Sequence, residues 1–287
     1  MKSLFPALLA ALLLLSACTG EAAVSSAPSQ SAPVSSVQPS AAPPSSSEAP
    51  EEPAWWEDIS ADDLPDTLSA AEDIEAGSGS LYRLAELAEQ GIALYGYGGD
   101  SDGAPCGVLL AQGDTFTPFD QVYLSAEHPM LPQLRWEDLD GDGSEELAVV
   151  YLVSNTAEGS VFELHVYQPQ PDGSWNDCGL LSDYYVPLLG DLLSFSYDHE
   201  ENTVTITAGT EKISAWYDGP SEPDGLAPVG NLVFFRWEDG AYTAVFGLQI
   251  TAEDASPMDI GTLTAQVTYD GESLTLNDFH LTALGGV

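Results

Sequence analysis

Between residues 262 and 269 apolar and polar positions alternate. Leu263, Ala265, Val267 and Tyr269 share one face, and Thr262, Thr264, Gln266 and Thr268 share the other. Successive side chains of a strand point to opposite faces, so this pattern predicts a half-buried β-strand. Residues 203–208 repeat it with Val204, Ile206 and Ala208 inward, and Phe162, Leu164 and Val166 alternate with Glu163, His165 and Tyr167. Residues 147–153 (LAVVYLV) are apolar on both faces, which predicts a central strand covered on each side. Asp172-Gly173, Asp239-Gly240 and Asp270-Gly271 stand between strand-like runs, and Asp198 to Asn202 makes a looser connection. Asp-Gly suits tight hairpin turns because both residues tolerate positive φ. Helical spacing is confined to the N-terminal side. Leu81, Leu84, Ala85 and Ala88 predict an amphipathic helix over residues 82–90, ending at Gly91, with a second short helix at 69–75. Everything after Ile92 reads as β. The predicted fold is mainly β, built of antiparallel β-meander hairpins, either partial propeller-like or a sandwich, with a small helical N-terminal part.

The chain begins differently. Lys2 precedes an apolar run from Leu4 to Leu15, and Leu15-Ser16-Ala17-Cys18 follows. At about 1.5 Å per residue the run is too short to span a hydrocarbon core of about 30 Å. A positive start, a short apolar stretch and small residues before a cysteine describe an export signal. This stretch resembles the lipobox of bacterial lipoproteins. The resemblance implies cleavage before Cys18, lipidation of its thiol, and a domain held by that lipid at the extracytoplasmic face of a cell membrane. Residues 1–17 are then the signal peptide. Residues 18–53, mainly Ser, Ala, Pro, Val and Glu, read as a disordered tether, since they cannot bury enough apolar surface to offset their ordering entropy. Residues 54–287 form the β-rich domain, with Trp55 and Trp56 marking where the tether docks.

Charge narrows the partners. The chain has 46 Asp+Glu against 5 Lys+Arg, a net charge of −41. After the signal only Arg83, Arg135, Lys212 and Arg236 are fixed cations, so no basic patch exists to displace counterions from nucleic acid. Most of the carboxylates read as a solvated, self-repelling surface. Export leaves Cys106 and Cys178 either as a disulfide or as two buried thiols.

One segment carries chemistry. Residues 135–150 read RWEDLDGDGSEELAVV, with Asp138, Asp140 and Asp142 at alternate positions, then Gly143, Ser144 and Glu146. Calcium takes six to eight oxygens at about 2.3–2.6 Å, and a tight loop with carboxylates at positions 1, 3 and 5 converges them. Gly143 at the sixth position permits the turn. An EF-hand needs a bidentate Glu at the twelfth position, which is Val149 here, so Glu146 closes a shorter loop between strands. This strand–loop–strand form resembles the FG-GAP or VCBS repeat of integrin-like propellers and many bacterial surface proteins, over residues 134–167. The resemblance implies calcium held by Asp138, Asp140, Asp142, the Ser144 carbonyl and Glu146. A single convincing copy departs from the several that a propeller requires. Asp100-Ser101-Asp102-Gly103 is a weaker echo and reads as a turn.

Other chemistries find little support. His128, His165, His199 and His280 show no zinc spacing, and neither a G-x-S-x-G elbow nor a phosphate loop occurs. Trp136, Trp175, Trp216, Tyr217 and Trp237 suit core or hairpin packing better than a sugar platform. The two-lobed α/β pattern of a solute-binding protein is missing. The sequence therefore points to a non-catalytic, calcium-stabilised extracellular binding or scaffold module with an unknown protein or glycan ligand. A cell-envelope hydrolase whose site leaves no sequence signature is the alternative.

Overall fold

The structure is a computed structural model that describes residues 56, 59–70, 73–74, 80–97, 107–113, 115–121, 123, 130–156, 159–219, 221–227, 229–253 and 256–284. The expected signal peptide, Cys18, the tether to residue 53, Trp55, the 100–103 turn, Cys106 and His128 lie outside the described residues. Among the described residues no helix is long and apolar enough to cross a membrane. They are mainly β and pair antiparallel, with one parallel exception at Val161 and Val233.

Strands β1 (Leu81–Leu87), β2 (Ile92–Tyr97), β3 (Gly107–Gln112) and β4 (Thr115–Phe119) form a four-stranded meander. Strand β1 overturns the helix expected at 82–90. A bulge between Arg83 and Ala85 leaves Leu84 as an extra residue in the ladder. Tyr82, Leu84, Ala85 and Leu87 therefore reach the same core, and the adjacent Leu84 and Ala85 imitate the apolar stripe of a helix. Differences in helix propensity are tenths of a kcal/mol per residue, whereas burying a leucine contributes about 2 kcal/mol, and Leu84 is buried. Gly91, at φ +64, turns the chain back. Of the second expected helix, residues 69–70 and 73–74 are described; Asp73 sits in a single tight turn, its N–H donating to the Ala70 carbonyl at 3.0 Å.

A second meander follows: β5 (Gln133–Glu137), β6 (Glu146–Thr156), β7 (Gly159–Pro169) and β8 (Trp175–Leu180). Helix α1 (Ser182–Leu192) then leads to a three-stranded sheet of β9 (Leu193–Asp198), β10 (Thr203–Ala208) and β11 (Glu211–Trp216). Strands β12 (Pro223–Leu226), β13 (Val233–Glu238), β14 (Ala241–Ala252), β15 (Met258–Tyr269) and β16 (Leu274–Ala283) complete the chain. The Asp-Gly pairs sit in the predicted turns, and Asp239 and Gly240 both have positive φ, 54° and 83°. Helix α1 corrects the expectation of β throughout. Pro187 in its interior disguises it, because proline removes a helical donor, while Tyr185 and Leu189 four residues apart are buried beneath it.

The large sheet has nine strands in the order β16-β15-β14-β13-β7-β6-β5, with β8 beside β7 and β12 beside β14. It curls. Arg135 of β5 stacks on the Trp237 ring of β13 at 4.4 Å, although two strands separate β5 from β13. Its concave interior gathers Val150, Leu164 and Val166 with Phe246, Leu263, Ala265 and Val267, closed by Tyr185 and Leu189 of α1 and by Val204 and Ile206 of β10. The opposite face of β6 and β7 packs Leu147, Val149, Tyr151 and Tyr167 against Leu84, Ile92, Leu94, Val108 and Leu110 of the first meander. Strand β6 is thus covered on both faces, as its apolar run requires. The layers are closer to a sandwich than to a propeller.

Candidate metal centre

The loop between β5 and β6 is held by the strands on either side of it. Glu137 and Glu146 are cross-strand partners, so residues 138–145 form the whole connection. Gly141 and Gly143 adopt φ of +80 and +93 and let it double back. Asp138 accepts the Gly141 N–H at 2.8 Å and the Gly143 N–H at 3.1 Å through its two oxygens, and Asp140 accepts the Asp142 N–H at 3.0 Å. These bonds turn the carboxylates inward. One oxygen each from Asp138, Asp140 and Glu146 lie within 4.8 Å of one another. Asp142, expected from the resemblance as a further ligand, stands outside that group, its Oδ1 accepting the Ser144 N–H at 2.6 Å.

Glu146 differs from its neighbours. It is 0% exposed, its Oε2 accepts the Leu139 N–H at 2.9 Å, and its Oε1 has no hydrogen-bond partner. Desolvation pushes its pKa up; the Leu139 bond opposes this, and Asp140, Asp142 and Asp138 add to the rise by repulsion. A buried carboxylate with one oxygen unsatisfied is costly, by several kcal/mol if charged, unless a cation completes it. The donors are all hard oxygens, which suits calcium or magnesium better than zinc or copper. The three carboxylates could therefore hold a hard divalent cation.

A second buried charge lies nearby and was not foreseen. His165 on β7 is 4% exposed and donates from Nδ1 to Asp177 on β8 at 2.8 Å. Its Nε2 faces Glu163 at 3.7 Å, an ion-pair contact too long for a hydrogen bond. Gln121 donates to Glu163 at 3.3 Å, and the ring stacks on Tyr167 and meets Tyr151 edge-on. The two tyrosine hydroxyls share a hydrogen bond of 2.9 Å, and burial pushes both their pKa values up. Burial alone would depress the imidazole, but Asp177 and Glu163 raise it to about 9. The nearby His165 imidazole in turn holds Glu163 below the usual carboxylate range, and the Gln121 hydrogen bond adds to this. Gly179 stands opposite His165 across the β7–β8 pair, and a Cβ there would meet the ring at 2.8 Å. The clue in the sequence was the doubly apolar β6, whose neighbour β7 had to be covered on both faces too.

The remaining candidates do not converge. Trp136 meets Trp175 edge-on at 6.1 Å and donates to Glu145, Trp237 packs on Tyr242, Tyr217 is buried against Tyr197, and Trp216 is 65% exposed on the edge strand β11. Trp56 packs on Ala93, Tyr95, Leu109 and Ala111 of the first meander. His199 and His280 are exposed beside Glu222 and Glu211. Cys178 is half-buried on β8, with its thiol 3.6 Å from the Glu272 carbonyl. Comparison of the chain with protein-family models, with curated proteins and with solved structures finds no match.

Proposed function

We propose that this chain is a lipid-anchored extracytoplasmic module, calcium-stabilised and acting by binding or scaffolding rather than by catalysis. The observation that carries the calcium reading is Glu146: fully buried, beside two aspartates, with an unpartnered oxygen. Asp138, Asp140 and Glu146 form the primary set, and Asp142 with the Ser144 carbonyl completes it if the FG-GAP-like resemblance holds. An ion in this place pins a loop between strands. It supplies cohesion and leaves binding of a protein or glycan to the surface around it. The anchor rests on Leu15-Ser16-Ala17-Cys18. The His165 imidazole is buried and already engaged by Asp177 and Glu163, so it lends nothing to an envelope hydrolase.

The test is thermal unfolding in calcium against sodium chloride at matched ionic strength, with Asp140→Ala as control. A calcium-specific rise in melting temperature that Asp140→Ala abolishes supports the reading. An equal response to both salts reduces the acidity to screened self-repulsion. For the anchor, Cys18→Ser abolishes incorporation of a fatty-acid analogue; continued labelling refutes it.

A further inference from the structure

In the nine-stranded sheet β5 is one edge and β16 the other, yet the loop after β5 and the turn before β16 meet in space. Asp140 Oδ2 lies over Gly271, so close that a Cβ there would stand 2.9 Å from it. Tyr269, the last residue of β15, is 5% exposed, and its hydroxyl is buried without a hydrogen-bond partner. The charged or ionisable groups that act on that hydroxyl are Cys178, Glu146, Asp140 and Asp270. Two unsatisfied buried oxygens, Glu146 Oε1 on β6 and Tyr269 Oη on β15, thus belong to the strands next to opposite edges of one sheet, and Asp140 acts on both groups. The turn itself is complete: Asp270 Oδ1 accepts the Glu272 and Ser273 N–H groups, and the Cys178 thiol reaches the Glu272 carbonyl.

We infer that the cation is a staple that closes the curled sheet, clamping the Asp138–Glu146 loop onto the β15–β16 turn, with Tyr269 as the residue that positions a water bound to the ion. The inference rests on the calcium reading above. The ion draws Asp140 and Glu146 together, and the Tyr269 hydroxyl accepts a hydrogen bond from the coordinated water. Both unsatisfied oxygens then gain partners, and the outermost strands are joined through the ion. Binding is thereby coupled to order in the C-terminal hairpin, more than a hundred residues along the chain from the loop.

Hydrogen exchange of the full-length protein, with and without calcium at matched ionic strength, tests this. Peptides over 138–146 and over 269–274 slow together, with one calcium midpoint. Protection of the loop with no change in the turn overturns the staple and leaves the calcium reading standing. No calcium response in either, with no shift in melting, overturns both. Tyr269→Phe keeps the ring and removes the hydroxyl. It weakens calcium roughly tenfold, in the range of other outer-shell partners, without lowering the calcium-free melting temperature. An unchanged affinity removes Tyr269 from the site and defeats the proposed role. Gly271→Ala also weakens binding, while Gly173→Ala does not; the latter has a similar φ, +87 against +88, but nothing within 4 Å of its added Cβ. Equal calcium affinities in the two variants refute the close approach of Asp140 as part of the staple.

Discussion

Strands β6 and β7 each carry one buried charged group, and the two are satisfied in opposite ways. His165 has its counter-ions built in: Asp177 and Glu163 flank the imidazole, and Gln121 steadies Glu163. Glu146 is surrounded instead by like charge, with Asp138 and Asp140 turned toward it and one oxygen unpartnered. Burial exacts a cost from both, because removing a charge from water is repaid only by close opposite charge and hydrogen bonds. The first site is therefore complete in the protein alone, and the second lacks the counter-charge that a cation would supply. In a chain with so few lysines and arginines, a buried protonated histidine takes over the part of a fixed cation.

The largest effect expected is at the histidine. His165→Leu leaves Asp177 and Glu163 facing each other without their cation and destabilises the fold by about 3 kcal/mol in denaturant unfolding. The wild type shows the same dependence with pH. Its imidazole is raised from 6.5 to about 9 on folding, so the stabilisation is full below pH 6.5 and is lost as pH rises through 9. That difference corresponds to about 3 kcal/mol, and His165→Leu abolishes the slope. A wild type equally stable at pH 6 and pH 9.5 contradicts the assignment.

Gly179→Ala comes next. Its methyl crowds the ring and pushes the imidazole away from Asp177, costing about 2 kcal/mol. NMR titration then shows a lower His165 pKa; an unmoved pKa argues that the ring is not held there. At the cation site, a dissociation constant of about 0.1 mM gives about 1.4 kcal/mol at about 1 mM calcium. Glu146→Gln removes that increment and raises the melting temperature in chelator, because it deletes a buried charge lacking a partner. A fall in the calcium-free protein breaks the contrast with His165, where deletion costs stability. Smallest is Asp142→Ala, whose carboxylate bonds Ser144 outside the group of three. Calorimetry is expected to show a calcium affinity only about twofold weaker, or roughly 0.4 kcal/mol. Loss as complete as with Asp140→Ala makes Asp142 a primary ligand.

Local patterns determined much of this protein. The strict alternation in β15 and β10, the doubly apolar β6 and the three Asp-Gly hairpins follow from side-chain period and turn stereochemistry, which neighbours along the chain suffice to specify. The acidic loop was legible for the same reason: alternate aspartates and a glycine bend back on themselves within nine residues. Four features depended on distant parts of the chain. Strand β1 accommodates a helix-like pattern because a bulge lets the adjacent Leu84 and Ala85 reach one core, and only pairing with β2 reveals the bulge. Helix α1 tolerates Pro187 because Tyr185 and Leu189 bury beneath it against residues from other elements. The His165 charge and the meeting of Asp140 with the β15–β16 turn arise where β8 and the opposite edge of a curled sheet close in. Periodicity and turn chemistry are properties of adjacent residues, whereas the partner of a buried charge is whatever the folded chain brings beside it.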